Sequence, residues 1–279
     1  MAKPLSIGLI THLAPSPATA LRSIHELGFR VIQIGYDAQI DTPAARREIV
    51  NTCRDLGVQI TTVFCGFPGE SYRDIATIRA TVGLVPEATR AERVEHVRVI
   101  AEFAAALGIR RVGAHVGFIP NPRDAAYPGL VTTVRSICDE LCQGGQSFAL
   151  ETGQETAATL RRFIADVQEG FRDNLRVNFD PANVILYGND QPLDAFDLLA
   201  PWVDEVHCKD GLWPENPLHL GREVPFGEGQ VNVGAWVKKM LSVGFRGPLI
   251  IERESSGDER IGEILRAKEM LEEMLPGGK

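Results

Sequence analysis

Three consecutive segments set the reading of this chain: Ser147-Phe-Ala-Leu-Glu151, Thr156-Ala-Ala-Thr-Leu-Arg-Arg-Phe-Ile-Ala-Asp-Val167 and Leu175-Arg-Val-Asn-Phe-Asp180. The outer two are short apolar runs that each end on a carboxylate. The middle one is longer and amphipathic, with the spacing of a helix. A strand, a helix and a second strand in this order favour a parallel pair joined by a crossover.

The same alternation extends in both directions. Before these segments, strands are expected at Leu5–Ile10, Val31–Gly35, Val58–Phe64 and Arg111–His115. After them, strands are expected at Val203–His207 and Pro248–Glu252. The intervening helices are Pro17–Leu27, Thr42–Leu56, Pro86–Leu107, Tyr127–Cys142, Pro192–Leu199, Asn232–Val243 and Asp258–Met274. Gly28, Gly57 and Gly108 stand where a left-handed residue ends a helix. Eight strands alternating with eight helices predict a single α/β domain over residues 1–279, a (β/α)8 TIM barrel. A doubly wound sheet is the alternative, but no GxGxxG follows the first strand. The length of 279 residues falls between one and two average domains. The surplus lies between Phe64 and Pro86 and between His207 and Asn232, after strands three and seven, and reads as substrate cover.

Composition narrows the function classes. Hydrophobic residues make up 44%, enough for a large core. Lys and Arg total 29 against 37 Asp and Glu, a net charge of −8 with no basic run, which disfavours nucleic acid and suits a divalent cation better than a polyphosphate. Cys53, Cys65, Cys138, Cys142 and Cys208 form no CxxC pair, so reduced thiols and a cytoplasmic setting are expected. The start of the chain shows no apolar signal core, and no stretch approaches the roughly 18 apolar residues of a membrane span.

In such barrels chemistry gathers at the C-terminal ends of the strands. Strands five to eight end on Glu151, Asp180, His207 and Glu252. A carboxylate there is costly unless it is paired or bound to a cation. Three converging carboxylates would repel one another, and a divalent cation removes the conflict. Three oxygen donors with one imidazole suit Mn²⁺ first, with Mg²⁺, Co²⁺ and Zn²⁺ left open. Strand alternation places Lys209 on the face of His207, Asn178 on that of Asp180, and Glu254 on that of Glu252. Asp210 is expected to orient a ligand or close an ion pair. Glu205 and Arg176 are expected to pair inside the barrel.

The segments Glu151-Thr-Gly-Gln-Glu-Thr156, Asn178-Phe-Asp-Pro-Ala-Asn183, Val206-His-Cys-Lys-Asp-Gly211 and Ile250-Ile-Glu-Arg-Glu254 resemble the xylose isomerase-like superfamily. Within it they resemble the sugar phosphate isomerase/epimerase group, which includes D-tagatose 3-epimerase and inosose dehydratase. The resemblance implies that Glu151, Asp180, His207 and Glu252 are the metal set. Gly221-Arg-Glu-Val-Pro-Phe-Gly-Glu-Gly229 is similar to a family segment whose Arg contacts substrate hydroxyls, a role that falls on Arg222. Asn183 departs from the pattern, since 3-epimerases and AP-site endonucleases of the superfamily carry a His there. Asn183 is expected to bond a substrate hydroxyl, leaving one metal ion.

The function expected from the resemblance is a metal-dependent isomerase or epimerase acting through an enediolate on a small ketose, keto-inositol or related polyol. Glu151 and Glu252 serve as its acid–base pair, and Lys209 stabilises the enolate. His12, His115 and Trp213 are expected to line the substrate pocket, with Phe67 as further cover. The alternative is a dehydratase or lyase on a keto-sugar, with Lys209 or His115 as the added acid. An AP-site endonuclease and a non-catalytic sugar-binding barrel complete the field. Asp258 and Glu259, after Glu254-Ser-Ser-Gly257, would oppose a phosphate, so an unphosphorylated substrate is expected. Association as a homo-oligomer stays open.

Overall fold

The strands run in chain order as β1 (Ile7–Thr11), β2 (Val31–Gly35), β3 (Gln59–Phe64), β4 (Arg111–Ala114), β5 (Ser147–Glu151), β6 (Leu175–Phe179), β7 (Val203–Cys208), β8 (Asp210–Leu212), β9 (Arg222–Val224) and β10 (Leu249–Ile251). The structure is a computed structural model that describes residues 5–170, 173–257 and 259–276. β1 to β7 and β10 close a parallel barrel in which β1 pairs with both β2 and β10. The expected TIM barrel is therefore the fold.

Its helices are α1 (Pro17–Glu26), α2 (Pro43–Leu56), α3 (Ile75–Thr81), α4 (Glu87–Ala106), α5 (Tyr127–Gln143), α6 (Ala157–Gln168), α7 (Pro181–Leu186), α8 (Pro192–Leu199), α9 (Val233–Ser242) and α10 (Glu259–Met274). Local chemistry sets their ends. The Thr42 and Thr156 hydroxyls accept from Ala45 N and Thr159 N at the starts of α2 and α6. Gly57 closes α2 at φ 65°, a conformation that costs a glycine little.

Two helices and a hairpin extend the expected alternation of strands and α-helices. α3 lies inside the Phe64–Pro86 segment, capped by Asp74 Oδ1 on Thr77 N at 2.8 Å. α7 follows β6 directly, with Asp180 as its N-cap and Pro181 in its first turn. β8 and β9 form an antiparallel hairpin in the long segment after β7. Each is too short to show a period in sequence. Asp258, the expected start of the last helix, lies outside the described residues, and α10 begins at Glu259.

Strand alternation builds two interiors. Ile32, Ile34, Phe148, Leu150, Val177, Phe179, Val206, Leu249 and Ile251 belong to the apolar layer shared with the helices. Within the barrel, Ile250 lies against Gly8 and Phe64 against Gly113, where an added Cβ would come within 2.7 Å of either side chain. Deeper in, Gln33, Thr62, Asn178 and Glu205 are fully buried. The expected pairing of Glu205 with Arg176 is corrected here. Arg176 bonds Asp204 at 2.7 Å, and Glu205 pairs with Arg111 at 3.0 Å. Asp204 stands nearer the N-terminal rim, where Arg111 also reaches it at 2.8 Å.

Candidate metal centre

Glu151 is the last residue of β5, and Asp180 follows β6. His207 is inside β7, and Glu252 follows β10. Each offers one donor atom, and those atoms all lie within 4.8 Å of one another. His207 Nδ1 is 3.0 Å from Glu151 Oε1, 3.1 Å from Glu252 Oε2 and 3.9 Å from Asp180 Oδ2. The strand ends thus bring together the four residues read from the sequence.

Two observations bear on whether this set fits a divalent cation. Asp180 Oδ2 and His207 Nδ1 are buried and have no hydrogen-bond partner among the described residues. Buried polar atoms are normally satisfied, so a pair left open and facing each other suits a ligand. The second carboxylate oxygen, Asp180 Oδ1, is occupied, accepting from Ala182 N at 2.8 Å and Asn183 N at 3.0 Å. The start of α7 therefore fixes that side chain and leaves Oδ2 for the centre.

Lys209 is 2% exposed, and its ammonium lies 3.1 Å from Glu252 Oε2 and 3.7 Å from Asp180 Oδ2. It also contacts Glu254. Burial opposes its charge, but Glu252, Asp180 and Glu254 outweigh that and raise its pKa well above the usual lysine range. Desolvation also opposes the charge of the partly buried Glu252, yet Lys209 and His207 hold its carboxyl well below the ordinary value. Burial pushes Asp180 up despite Lys209. For His207, burial works against the charged ring, while Glu252 and Glu151 raise its pKa well above the ordinary value.

The other expected residues fall in two groups. His115 Nε2 lies 3.5 Å from Glu151 Oε2, beside the Tyr72 ring at 6.0 Å. Asn183 Nδ2 donates to Glu151 Oε1 at 3.3 Å, and its Oδ1 accepts from Lys209 at 3.4 Å. It acts as a hydrogen-bonding bridge between two centre residues. Arg222 is exposed on β9 and forms no ion pair among the described residues. His12 is exposed, with its ring packed over Gly35. Trp213 is half-buried, its backbone N–H donating to Gln230 Oε1 at 2.9 Å.

Two expectations are corrected. Phe67 is not exposed cover; it is buried, with its ring against His96 and the Arg93 guanidinium. Asp210 neither pairs with a cation nor points at the centre. Its carboxylate accepts from the backbone N–H groups of Gly211, Gly227, Gly229 and Val231 at 2.9–3.1 Å. It ties down the segment after β9. The two long rim segments also meet, with Ile75 N donating to Leu218 O at 3.2 Å.

The sequence profile of the xylose isomerase-like TIM barrel matches residues 21–274. The chain belongs to that family. It is 36% identical to a xylose isomerase domain protein from Planctomyces limnophilus, with a TM-score of 0.90 and 98% of each chain covered. The probable 3-DHS dehydratase AsbF from Bacillus anthracis is similar in fold at 18% identity, with a TM-score of 0.70 over 95% of this chain and 98% of that one. The 3-keto-D-glucoside 4-epimerase YcjR from E. coli is similar in fold at 16% identity, with a TM-score of 0.72 over 96% and 98%. The uncharacterized protein YihM of Escherichia coli strain K12 is 26% identical over 150 residues, 50% of this chain and 44% of that protein, so the match spans less than half of that relative.

Two residues of this xylose isomerase-like barrel escape a reading of the sequence. Glu155, four residues past Glu151, is 8% exposed, and neither carboxyl oxygen has a hydrogen-bond partner among the described residues. Burial raises its pKa to about 8, so it carries its proton at neutral pH. Gln33 Oε1 lies 2.7 Å from His207 Nε2 and accepts from it when that nitrogen carries the ring proton. A polar residue between Ile32 and Ile34 on an otherwise apolar strand is the available signal for Gln33. Glu155 has none, because a carboxylate in a loop is ordinarily solvated.

Proposed function

We propose that this barrel is a divalent-metal-dependent isomerase or epimerase of a small ketose, keto-inositol or related polyol. The observation that carries the reading is His207 Nδ1, buried without a hydrogen bond between Glu151 and Glu252. Glu151, Asp180, His207 and Glu252 would hold the cation, with Mn²⁺ the best match to three oxygen donors and one imidazole. When bound, such a cation supplies Lewis-acid polarisation of a substrate carbonyl and its neighbouring hydroxyl.

The chain's own residues account for the proton movements. Glu151 and Glu252 enter from β5 and β10, and one removes the proton beside the carbonyl while the other returns it. Lys209 brings a buried positive charge next to Glu252, placed to offset negative charge that develops on the substrate oxygen. Asn183 and His115, both at Glu151, offer hydrogen bonds to substrate hydroxyls. Arg222, Trp213 and His12 would meet the outer part of the substrate. The segment after Glu254 favours an unphosphorylated substrate. The Ser255 hydroxyl donates to Glu263 at 3.2 Å and Glu254 N donates to Glu223 at 3.1 Å, so acidic side chains already take donors of this segment that a phosphate would use.

The test is solvent-deuterium exchange at the α-carbon across a panel of ketoses, inososes and 3-keto-glycosides with Mn²⁺. Glu151→Gln and Glu252→Gln should each abolish exchange; exchange retained in both overturns the assignment. A second reading, a keto-sugar dehydratase or lyase, shares the proton abstraction and adds an acid for the leaving group. His115, 3.5 Å from Glu151, and Lys209 are the residues placed for it. Product mass separates the two, because only the lyase loses water or an aglycone.

A further inference from the structure

We propose that Gln33 is a positioning residue for the metal centre. Its amide holds His207 in the tautomer that leaves Nδ1 open to a cation, and the buried Glu205–Arg111 pair sets which way that amide points. The proposal rests on reading the four-residue cluster as a metal site.

Gln33 is fully buried in the middle of β2. The register of β2 on β3 shifts between Ile32 and Gln33, and that of β6 on β7 shifts between Val177 and Asn178. Such irregularities re-aim side chains. Both occur at polar residues that meet inside the barrel, where Gln33 Nε2 donates to Asn178 Oδ1 at 3.1 Å. The same nitrogen donates to Glu205 Oε2 at 2.7 Å.

The two ends of an amide have opposite chemistry: the NH₂ only donates, and the carbonyl only accepts. Glu205 is held as an acceptor. Its Oε2 also takes the Thr62 hydroxyl, and its Oε1 lies 3.0 Å from the Arg111 guanidinium. The NH₂ of Gln33 must therefore face Glu205. The reversed amide would set a carbonyl against a carboxylate in a buried site, which is repulsive and leaves acceptors unsatisfied. With the NH₂ so placed, Oε1 faces His207 Nε2 at 2.7 Å and can only accept. The ring proton is thereby placed on Nε2. In the neutral ring the lone pair then sits on Nδ1, the atom 3.0 Å from Glu151 and 3.1 Å from Glu252. A partner on the outer nitrogen is the usual means by which a ligating histidine is oriented. Here it comes from an amide whose direction is set at the far end of the barrel.

The experiment measures Mn²⁺ affinity by isothermal titration calorimetry in the wild type, Gln33→Leu, Glu205→Gln and the double variant. It is joined by ¹⁵N spectra of the histidine ring in the metal-free proteins, at a pH high enough for the ring to be neutral. Gln33→Leu should weaken Mn²⁺ by about 10- to 100-fold, the range for loss of such a partner. Glu205→Gln keeps a hydrogen-bonding side chain but lets either amide end face Gln33. It should weaken Mn²⁺ less and give a mixed tautomer in the spectrum. The double variant should bind no more weakly than Gln33→Leu, because Glu205 acts through Gln33. Wild-type affinity and an unchanged ring pattern in Gln33→Leu overturn the proposal, and so do additive losses in the double variant. If Gln33→Leu fails to fold, Glu205→Gln decides alone: a single unchanged tautomer overturns the proposal. Failure of the metal reading shows separately, as a wild type that takes up no Mn²⁺, and the proposal falls with it.

Discussion

Lys209 Nζ lies 3.1 Å from Glu252 Oε2, so the carboxylate cluster contains a cation of its own. That ammonium repels a divalent ion at the same site while offsetting charge on a substrate oxygen. The two effects have opposite signs. Lys209→Met should bind Mn²⁺ at least as tightly as the wild type, yet turn over roughly 10²- to 10⁴-fold more slowly. Calorimetry and steady-state kinetics on one preparation check both. Weaker Mn²⁺ binding in the variant would mean that Lys209 holds the site together instead.

Cation binding should stabilise the fold by mass action. At 100 times Kd, Mn²⁺ adds about 2.7 kcal/mol, on the order of 5–10 °C in Tm for a domain of this size. His207→Ala and Asp180→Asn each remove a donor and should abolish the Mn²⁺-dependent shift. Thermal unfolding with and without a chelator measures it.

Glu155 should make stability fall with rising pH. Burial raises its folded-state pKa from 4.5 to about 8, so between those values the unfolded chain has released a proton that the native state keeps. Stability from this group is full below about pH 4.5 and is lost progressively up to about pH 8, at no more than roughly 1.4 kcal/mol for each pH unit crossed. Glu155→Gln should therefore raise the urea midpoint relative to wild type at pH 8 and leave it nearly unchanged at pH 4.5. An equal effect at both pH values would show that the side chain is not titrating.

Arg111 is the guanidinium that faces Glu205, which is fully buried. Arg111→Met leaves that carboxylate without its ion pair and should cost about 3–5 kcal/mol, roughly 10 °C in Tm. Adding Glu205→Gln to Arg111→Met should recover part of the loss, since the buried charge is gone. Denaturant titration of the three variants tests the coupling.

Asp210 gathers four backbone N–H groups, and at Gly229 an added Cβ would fall 2.1 Å from its Oδ1. Asp210→Ala and Gly229→Ala should both loosen the segment from Gly227 to Val231. The expected readout is faster amide hydrogen exchange there and a raised KM, with exchange in β5 and β6 unchanged.

The sequence by itself determined the barrel and the identity of the four clustered residues. Eight apolar runs separated by amphipathic ones leave few ways to bury both faces of a parallel sheet. Glu151, Asp180, His207 and Glu252 were legible because a strand end in such a barrel is a fixed place, and a charged or imidazole side chain there stands out against the apolar run before it. Tertiary structure alone decided what surrounds them. Arg176 and Glu205 lie on adjacent strands with inward faces, but a register shift at Asn178 and the reach of two arginines gave Asp204 to Arg176 and Glu205 to Arg111. Asp210 resembles a site residue until the chain after β9 folds back and supplies four donors. Gln33 and His207 are 174 positions apart in sequence, and their contact exists only because the barrel closes. Local pattern reports which face a residue occupies. Which partner it meets across that face depends on register, closure and burial, which the folded chain sets as a whole.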